Sequence, residues 1–191
     1  MEFKPLSIPD LVLITPNVFG DSRGFFKETY NRDVFKANGI DIDFGVQSNH
    51  SRSSKGVLRG MHWQKEPFAQ DKLVRVARGR VLDVAVDIRV GSPTFGQYEA
   101  VELSDENHNI FFVPKGFAHG FYVLSDIADF EYQVSAPYNK ESEGAFRWND
   151  PDVGINWGFS EGEQPLLSEK DTVNKLLKDI DEEDLFKFVH K

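Results

Sequence analysis

Gly56-Val57-Leu58-Arg59-Gly60-Met61-His62-Trp63-Gln64 decides how this chain folds. It sets a histidine inside a strand-like run, three residues after an arginine. A second histidine stands further on, in Pro114-Lys115-Gly116-Phe117-Ala118-His119-Gly120. Around both segments the pattern is one of short strands. Residues 80–89 show it best: Leu82, Val84, Val86 and Ile88 alternate with Val81, Asp83, Ala85, Asp87 and Arg89. That is the period of two of a β-strand. Similar pieces occupy residues 11–14, 46–49, 72–76, 99–103, 110–113, 119–124 and 130–135. Turn signals such as Gly91-Ser92-Pro93-Thr94 separate them. Many short strands with regular turns predict an antiparallel sandwich or barrel.

The two histidine segments resemble those of cupin barrels, which read G-x5-H-x-H and P-x-G-x2-H. The chain keeps Gly56, the five-residue gap and His62, but has Gln64 where a metal-binding cupin has its second histidine. A metal site needs three or four well-placed N, O or S ligands. With Gln64 there, His62 is freer to act as an acid–base group. The expected fold is mainly β: a cupin-type jelly-roll double-stranded barrel with a few short helices. One helix starts after Asn31, a good N-cap, with Val34 and Phe35 inward and Gly39 as terminator. Another is predicted near the C-terminus. There Val173, Leu176, Leu177 and Ile180 recur at helical spacing after Ser168-Glu169-Lys170-Asp171, which reads as a capping box. The expected organisation is a single domain over 1–191 with a helical segment over about 168–191.

Composition narrows the function classes. A chain of 191 residues suits one domain. With no cysteine it can hold neither a disulfide nor a thiolate metal site or nucleophile. The opening Met1-Glu2-Phe3-Lys4-Pro5 has no basic region before an apolar run, so a cytoplasmic location is expected. No apolar run approaches a membrane span. Net charge of −9 argues against general nucleic-acid binding. Yet every arginine except Arg147 lies in the first half of the chain, so a local anion site is open to it.

Several side chains could carry chemistry. A neutral imidazole is the commonest general base near pH 7, which makes His62 the first candidate. Taken alone, it is as well read as a core histidine. Arg59 and Lys72 flank it in sequence, although lone cations are usually solvated. Strict alternation puts Arg59 and His62 on opposite faces, so both serve one cavity only if Gly60 marks a bulge or Arg59 lies at the barrel rim. Tyr132 and Tyr138 are ordinary core aromatics or, as phenols protonated at neutral pH, proton donors. Asp171 fits the capping box. Asp83 and Asp87 share a face with Ala85, either lumen or solvent.

Taken together, the segments resemble the dTDP-4-dehydrorhamnose 3,5-epimerase family. The resemblance rests on Phe19-Gly20-Asp21-Ser22-Arg23-Gly24-Phe25-Phe26, Gln47-Ser48-Asn49-His50-Ser51, the Gly56 and Pro114 segments, and Lys72-Leu73-Val74-Arg75-Val76. It continues through Ser92-Pro93-Thr94-Phe95-Gly96, Tyr138-Asn139-Lys140-Glu141, Trp148-Asn149-Asp150-Pro151 and Leu167-Ser168-Glu169-Lys170-Asp171. Met61 and Trp63 stand where leucine and a smaller aromatic are more familiar. The resemblance implies a homodimeric jelly roll with no metal and no organic cofactor. It implies a dTDP-4-keto-6-deoxyhexose substrate, inverted at C3 and C5 on the way to activated L-rhamnose. By the same resemblance His62 is the base and Tyr132 the acid. Asp171 orients the imidazole, with Asp83 a second candidate, and Lys72 stabilises the enolate. Arg23, Arg59 and His119 would hold diphosphate or sugar hydroxyls, and Tyr138 would stack on thymine. Glu28, Gln47, Ser48, Asn49, Glu143 and Lys170 map onto the remaining substrate contacts. Relatives of this fold that invert one centre, or move the keto group, fit the same base and acid.

Overall fold

The computed structural model describes residues 1–189. Its strands are β1 (Glu2–Pro5), β2 (Val12–Thr15), β3 (Val18–Asp21), β4 (Gly24–Lys27), β5 (Gln47–Ser54), β6 (Leu58–Gln64), β7 (Lys72–Arg78) and β8 (Arg80–Asp87). After them come β9 (Arg89–Val90), β10 (Tyr98–Ser104), β11 (Ile110–Val113), β12 (Phe117–Val123), β13 (Ile127–Val134), β14 (Glu143–Ala145) and β15 (Phe186–Lys187). A six-stranded sheet in the order β1-β2-β11-β7-β13-β5 faces a five-stranded sheet in the order β10-β8-β12-β6-β14. The pairings within both are antiparallel. This is an antiparallel sandwich of the kind that the short alternating strands predicted, and it fits the jelly roll that the resemblance implied.

Three apolar layers explain the burial pattern. Between the sheets, Val74, Phe111 and Phe130 of one sheet meet Val81, Phe117 and Phe121 of the other. The outer face of the six-stranded sheet presents Leu73, Ile110 and Phe112 to Phe35 and Phe44. Phe35 belongs to the short helix α1 (Arg32–Ala37), and the Asn31 side chain caps it by accepting from the N–H groups of Asp33 and Val34. The outer face of the five-stranded sheet carries Met61, Trp63, Val84 and Val86, covered by Phe146, Trp157 and Leu177. Both faces of β8 are therefore buried, and Asp83 lies on the inner one with Val81 and Ala85.

The C-terminal segment departs from the expected helix. Among its described residues only α2 (Glu169–Thr172) is α-helical, followed by 3-10 turns at Leu177–Asp179 and Glu182–Asp184 and then β15, which pairs in parallel with β9. Val173, expected inward, is 78% exposed, whereas Leu177 is buried. The helical spacing arose from apolar residues laid along the sheet: Leu177, Ile180, Leu185 and Phe186 all join the outer layer. Spreading them over that surface covers more of it than one helical stripe could, and tertiary burial overrides helix propensity. Residues 190 and 191, within the expected helical segment, lie outside the described residues.

Candidate active site

β6 and β12 are neighbours, and His62 is paired directly with His119. Both therefore point to the interior, between Met61 and Trp63 on one strand and Ala118 on the other, which face outward. The register then shifts: Phe121 lies opposite Arg59, so β6 uses one residue more than β12 over the same stretch. Of the two ways for Arg59 and His62 to share a cavity, a bulge at Gly60 or Arg59 at the rim, the register shows the bulge. Gly60 has φ +146°, and a Cβ there would sit 2.7 Å from the Gly120 Cα. Only glycine allows that approach without displacing the partner strand. The bulge turns Arg59 back to the wall that His62 occupies, and both line one cavity.

Its other lining residues include Gln64, Gln70, Lys72, His119, Tyr132, Tyr138 and Glu143, around about 790 Å³ of empty space that opens to solvent. Behind His62, its Nε2 lies 2.6 Å from Asp171 Oδ1, and Asp171 Oδ2 accepts from Ser168 Oγ at 2.8 Å. Burial pushes the Asp171 carboxyl up, but the His62 and Ser168 hydrogen bonds, with Lys170 nearby, outweigh it and leave the group below its usual range. An ionised carboxylate only accepts. Nε2 of neutral His62 therefore carries the hydrogen, and Nδ1 is the basic atom. The Ser168 side chain makes no capping bond to the helix backbone. The motif read as a capping box instead holds a carboxylate against the histidine.

Asp83 does not orient His62. Its Oδ1 lies 2.8 Å from Nε2 of His119, and burial raises its carboxyl against the pull of His119 and Lys72. Lys72 reaches the cavity from β7, where desolvation lowers its ammonium to about 8 despite the opposing charges of Asp83 and Glu143. Tyr132 comes from β13, in the sheet opposite His62. Desolvation raises its phenol, opposed by the charges of Arg59 and Lys170. At the rim, Lys170 Nζ donates to Glu143 Oε1 at 2.7 Å. Gln47 Nε2 donates to Asn49 Oδ1, and Gln47 Oε1 accepts from the Tyr138 N–H.

A chain of 45–52% identical relatives and close structural neighbours accompanies this geometry. The family model described as dTDP-4-dehydrorhamnose 3,5-epimerase matches residues 5–179. The chain belongs to the dTDP-4-dehydrorhamnose 3,5-epimerase family. The Shigella flexneri dTDP-4-dehydrorhamnose 3,5-epimerase is 51% identical, over 91% of this chain and 94% of that protein. A dTDP-6-deoxy-D-glucose-3,5-epimerase from Legionella pneumophila, solved with dTDP-4-keto-L-rhamnose, is 49% identical with a TM-score of 0.94, covering 99% of both chains. A 3'-monoepimerase from Streptomyces bikiniensis, solved with dTDP-quinovose, is 34% identical with a TM-score of 0.85, covering 92% of this chain and 87% of that one.

Within this epimerase-family chain, not every expected contact converges. Arg23 sits at the turn of the β3–β4 hairpin with its side chain 88% exposed and paired to Asp21. Glu28 follows the hairpin and accepts from Asn31 Nδ2. Ser48 points to the other side of its sheet, into a depression with Thr29, Arg75 and Glu131. None of the three lines the His62 cavity. Sequence reasoning missed Gln70, whose position shows only through its backbone contact, and Ser168, which stood in plain view as a presumed cap. Among the described residues no group of three or more His, Cys, Asp or Glu is placed to hold a metal ion. Nor is any described helix long and apolar enough to cross a membrane.

Proposed function

We propose that the chain epimerises dTDP-4-dehydro-6-deoxy-glucose at C3 and C5 to dTDP-4-dehydro-L-rhamnose, a step of dTDP-L-rhamnose biosynthesis. One observation carries this reading: His62 and Tyr132 line the same cavity from opposite sheets. Inversion needs removal of a proton from one face of a carbon and delivery to the other, so base and acid must stand on opposed walls.

C3 and C5 both flank the C4 carbonyl, so loss of either proton gives an enolate. His62 Nδ1 takes the proton, and the Asp171 carboxylate steadies the imidazolium that forms. The Lys72 ammonium faces the developing charge on the C4 oxygen; fixed charge at that position is usually a large catalytic term. Tyr132 then donates its phenolic proton to the opposite face. Its raised pKa keeps that proton in place beforehand. Solvent reprotonates the phenolate and takes the proton from His62, and the cycle repeats at the second carbon. Arg59 and His119 hold the diphosphate and sugar, while Tyr138 stacks on thymine. No metal or organic cofactor takes part.

The active unit in this reading is a homodimer. Among the described residues the β3–β4 hairpin forms a sheet only with itself, and it exposes Phe19 (65%), Phe25 and Phe26 (70%) around Arg23. Aromatic residues so placed suit a contact with a second copy, which would carry Arg23 and Glu28 to the partner's cavity. A cytoplasmic location fits a nucleotide-sugar substrate. Incubation with the 4-keto nucleotide sugar in deuterated water tests the reaction. Deuterium at both C3 and C5 is expected; deuterium at C3 alone marks a mono-epimerase, and a moved keto group marks a ketoisomerase.

A further inference from the structure

Gln64 occupies the position of a cupin metal ligand, yet its amide is fully committed elsewhere. It is 4% exposed. Its Nε2 donates to the carbonyls of Phe68 at 2.6 Å and Pro137 at 3.1 Å, and its Oε1 accepts from the Asn139 N–H at 2.7 Å. The last two bonds grip the backbone on either side of Tyr138. Two more glutamines complete the hold. Gln47 Oε1 accepts from the Tyr138 N–H at 2.9 Å, and Gln70 Nε2 donates to the Ala136 carbonyl at 2.9 Å. Three glutamine side chains from three separate segments thus fix four consecutive residues, 136–139. Meanwhile Tyr138, 56% exposed, borders the cavity.

Such an arrangement is more than loop satisfaction. A surface loop can solvate its backbone with water at little cost. Here one buried amide, Gln64, and two half-buried ones do so at the one point where an aromatic ring must stand free of packing and still hold a fixed place. We propose that Gln64, with Gln70, is a positioning residue for the nucleobase: it preorganises the 136–139 backbone so that the Tyr138 ring is already set as a stacking platform when the nucleotide arrives. Gln64 itself touches no substrate in this view. The position that would hold a metal ligand in a metal-dependent cupin has become a strut for base recognition. A preset platform spares the ordering cost that a mobile loop would add on binding. The inference rests on the seat for thymine at Tyr138 proposed above.

The test is a double-mutant cycle on substrate KM and on the Kd of dTDP measured by calorimetry. Gln64→Met keeps the side-chain length and removes all three hydrogen bonds; Gln70→Met does the same at Ala136, where the change is less buried. Tyr138→Ala removes the platform. Each glutamine variant should raise KM and the dTDP Kd, Gln64→Met by about tenfold, the usual effect of losing buried hydrogen bonds, with kcat nearly unchanged. In the Tyr138→Ala background neither variant should weaken binding further, because no platform is left to position. If their effects instead add to that of Tyr138→Ala, or if kcat falls while KM holds, the strut role is wrong. If Tyr138→Ala alone leaves KM and Kd unchanged, the thymine seat itself fails, and the strut with it. Should Gln64→Met not fold, the Gln70→Met cycle decides by the same criteria.

Discussion

Replacing Asp171 by asparagine isolates the part of catalysis that charge supplies. The side chain is 2% exposed and does not line the cavity, so the change alters no substrate contact. Asparagine has nearly the same shape. Its Oδ1 can still accept from His62 Nε2 at the 2.6 Å position, and its Nδ2 can donate to Ser168 Oγ, whose hydroxyl is free to turn. What is lost is the negative charge facing the imidazolium. A hydrogen bond to a charged group is worth about 1.5–3 kcal/mol, against roughly 1 for a neutral one. Losing the charge, a difference of about 0.5–2 kcal/mol, should therefore cut kcat by about 2- to 30-fold. The loss grows if the amide turns its NH2 toward Nε2, which moves the ring hydrogen to Nδ1 and blocks the base; such a tautomer error can cost about 10⁴-fold. KM should barely move. The assay is NMR of the 4-keto substrate, with thermal unfolding to verify that the variant is folded. A folded Asp171→Asn protein with wild-type kcat would refute the dyad.

Four other outcomes follow from the same geometry. The Lys72 ammonium is held at about 8 by desolvation, so kcat/KM should fall above that pH as its charge disappears, and in Lys72→Arg the alkaline limb should move to higher pH. The stability sign is opposite: between about 8 and the ordinary lysine value of 10.5 the unfolded chain binds more protons, so folding stability at this group rises with pH across that window and is lowest below it. Alanine at Arg23 or Arg59 should raise KM, less so in high salt, and mixed dimers of Arg23→Ala with His62→Ala subunits should recover partial activity if the hairpin serves the partner's site; no recovery places Arg23 elsewhere. Tyr132→Phe should keep exchange through His62 but lose inversion, most clearly at C5, as read by deuterium content against product configuration.

Much of this was legible in the residues. The alternation of Leu82 to Ile88 gave β8, and Gly60, lying between Arg59 and His62, gave the bulge that brings them to one wall. The alternation could not say that both faces of β8 are buried, since that depends on a C-terminal segment laid over the outer layer. Spacing misled at that same segment, because apolar residues following a sheet surface can imitate a helical period. The Ser168–Asp171 motif misled in another way. A local cap and a distant histidine compete for the same carboxylate, and burial of Asp171 against His62 decides for the histidine. Asp83 reads in the sequence as a second candidate to orient His62, but the pairing of β8 with β12 places it beside His119. The place of Gln64 was noticed for the metal ligand it is not; its bonds to residues 68, 137 and 139 exist only once the loops have closed.

Removal of the substrate's protons by His62 is the central claim, and deuterium wash-in tests it most directly. Wild-type protein and a folded His62→Ala variant are incubated with the 4-keto nucleotide sugar in deuterated water, and C3 and C5 are followed by NMR. The wild type should label and invert both carbons. The variant should lose exchange at both by about 10²- to 10⁴-fold, the usual contribution of a general base, because no enolate forms. Exchange by His62→Ala at a rate close to wild type, at either carbon, would contradict the assignment.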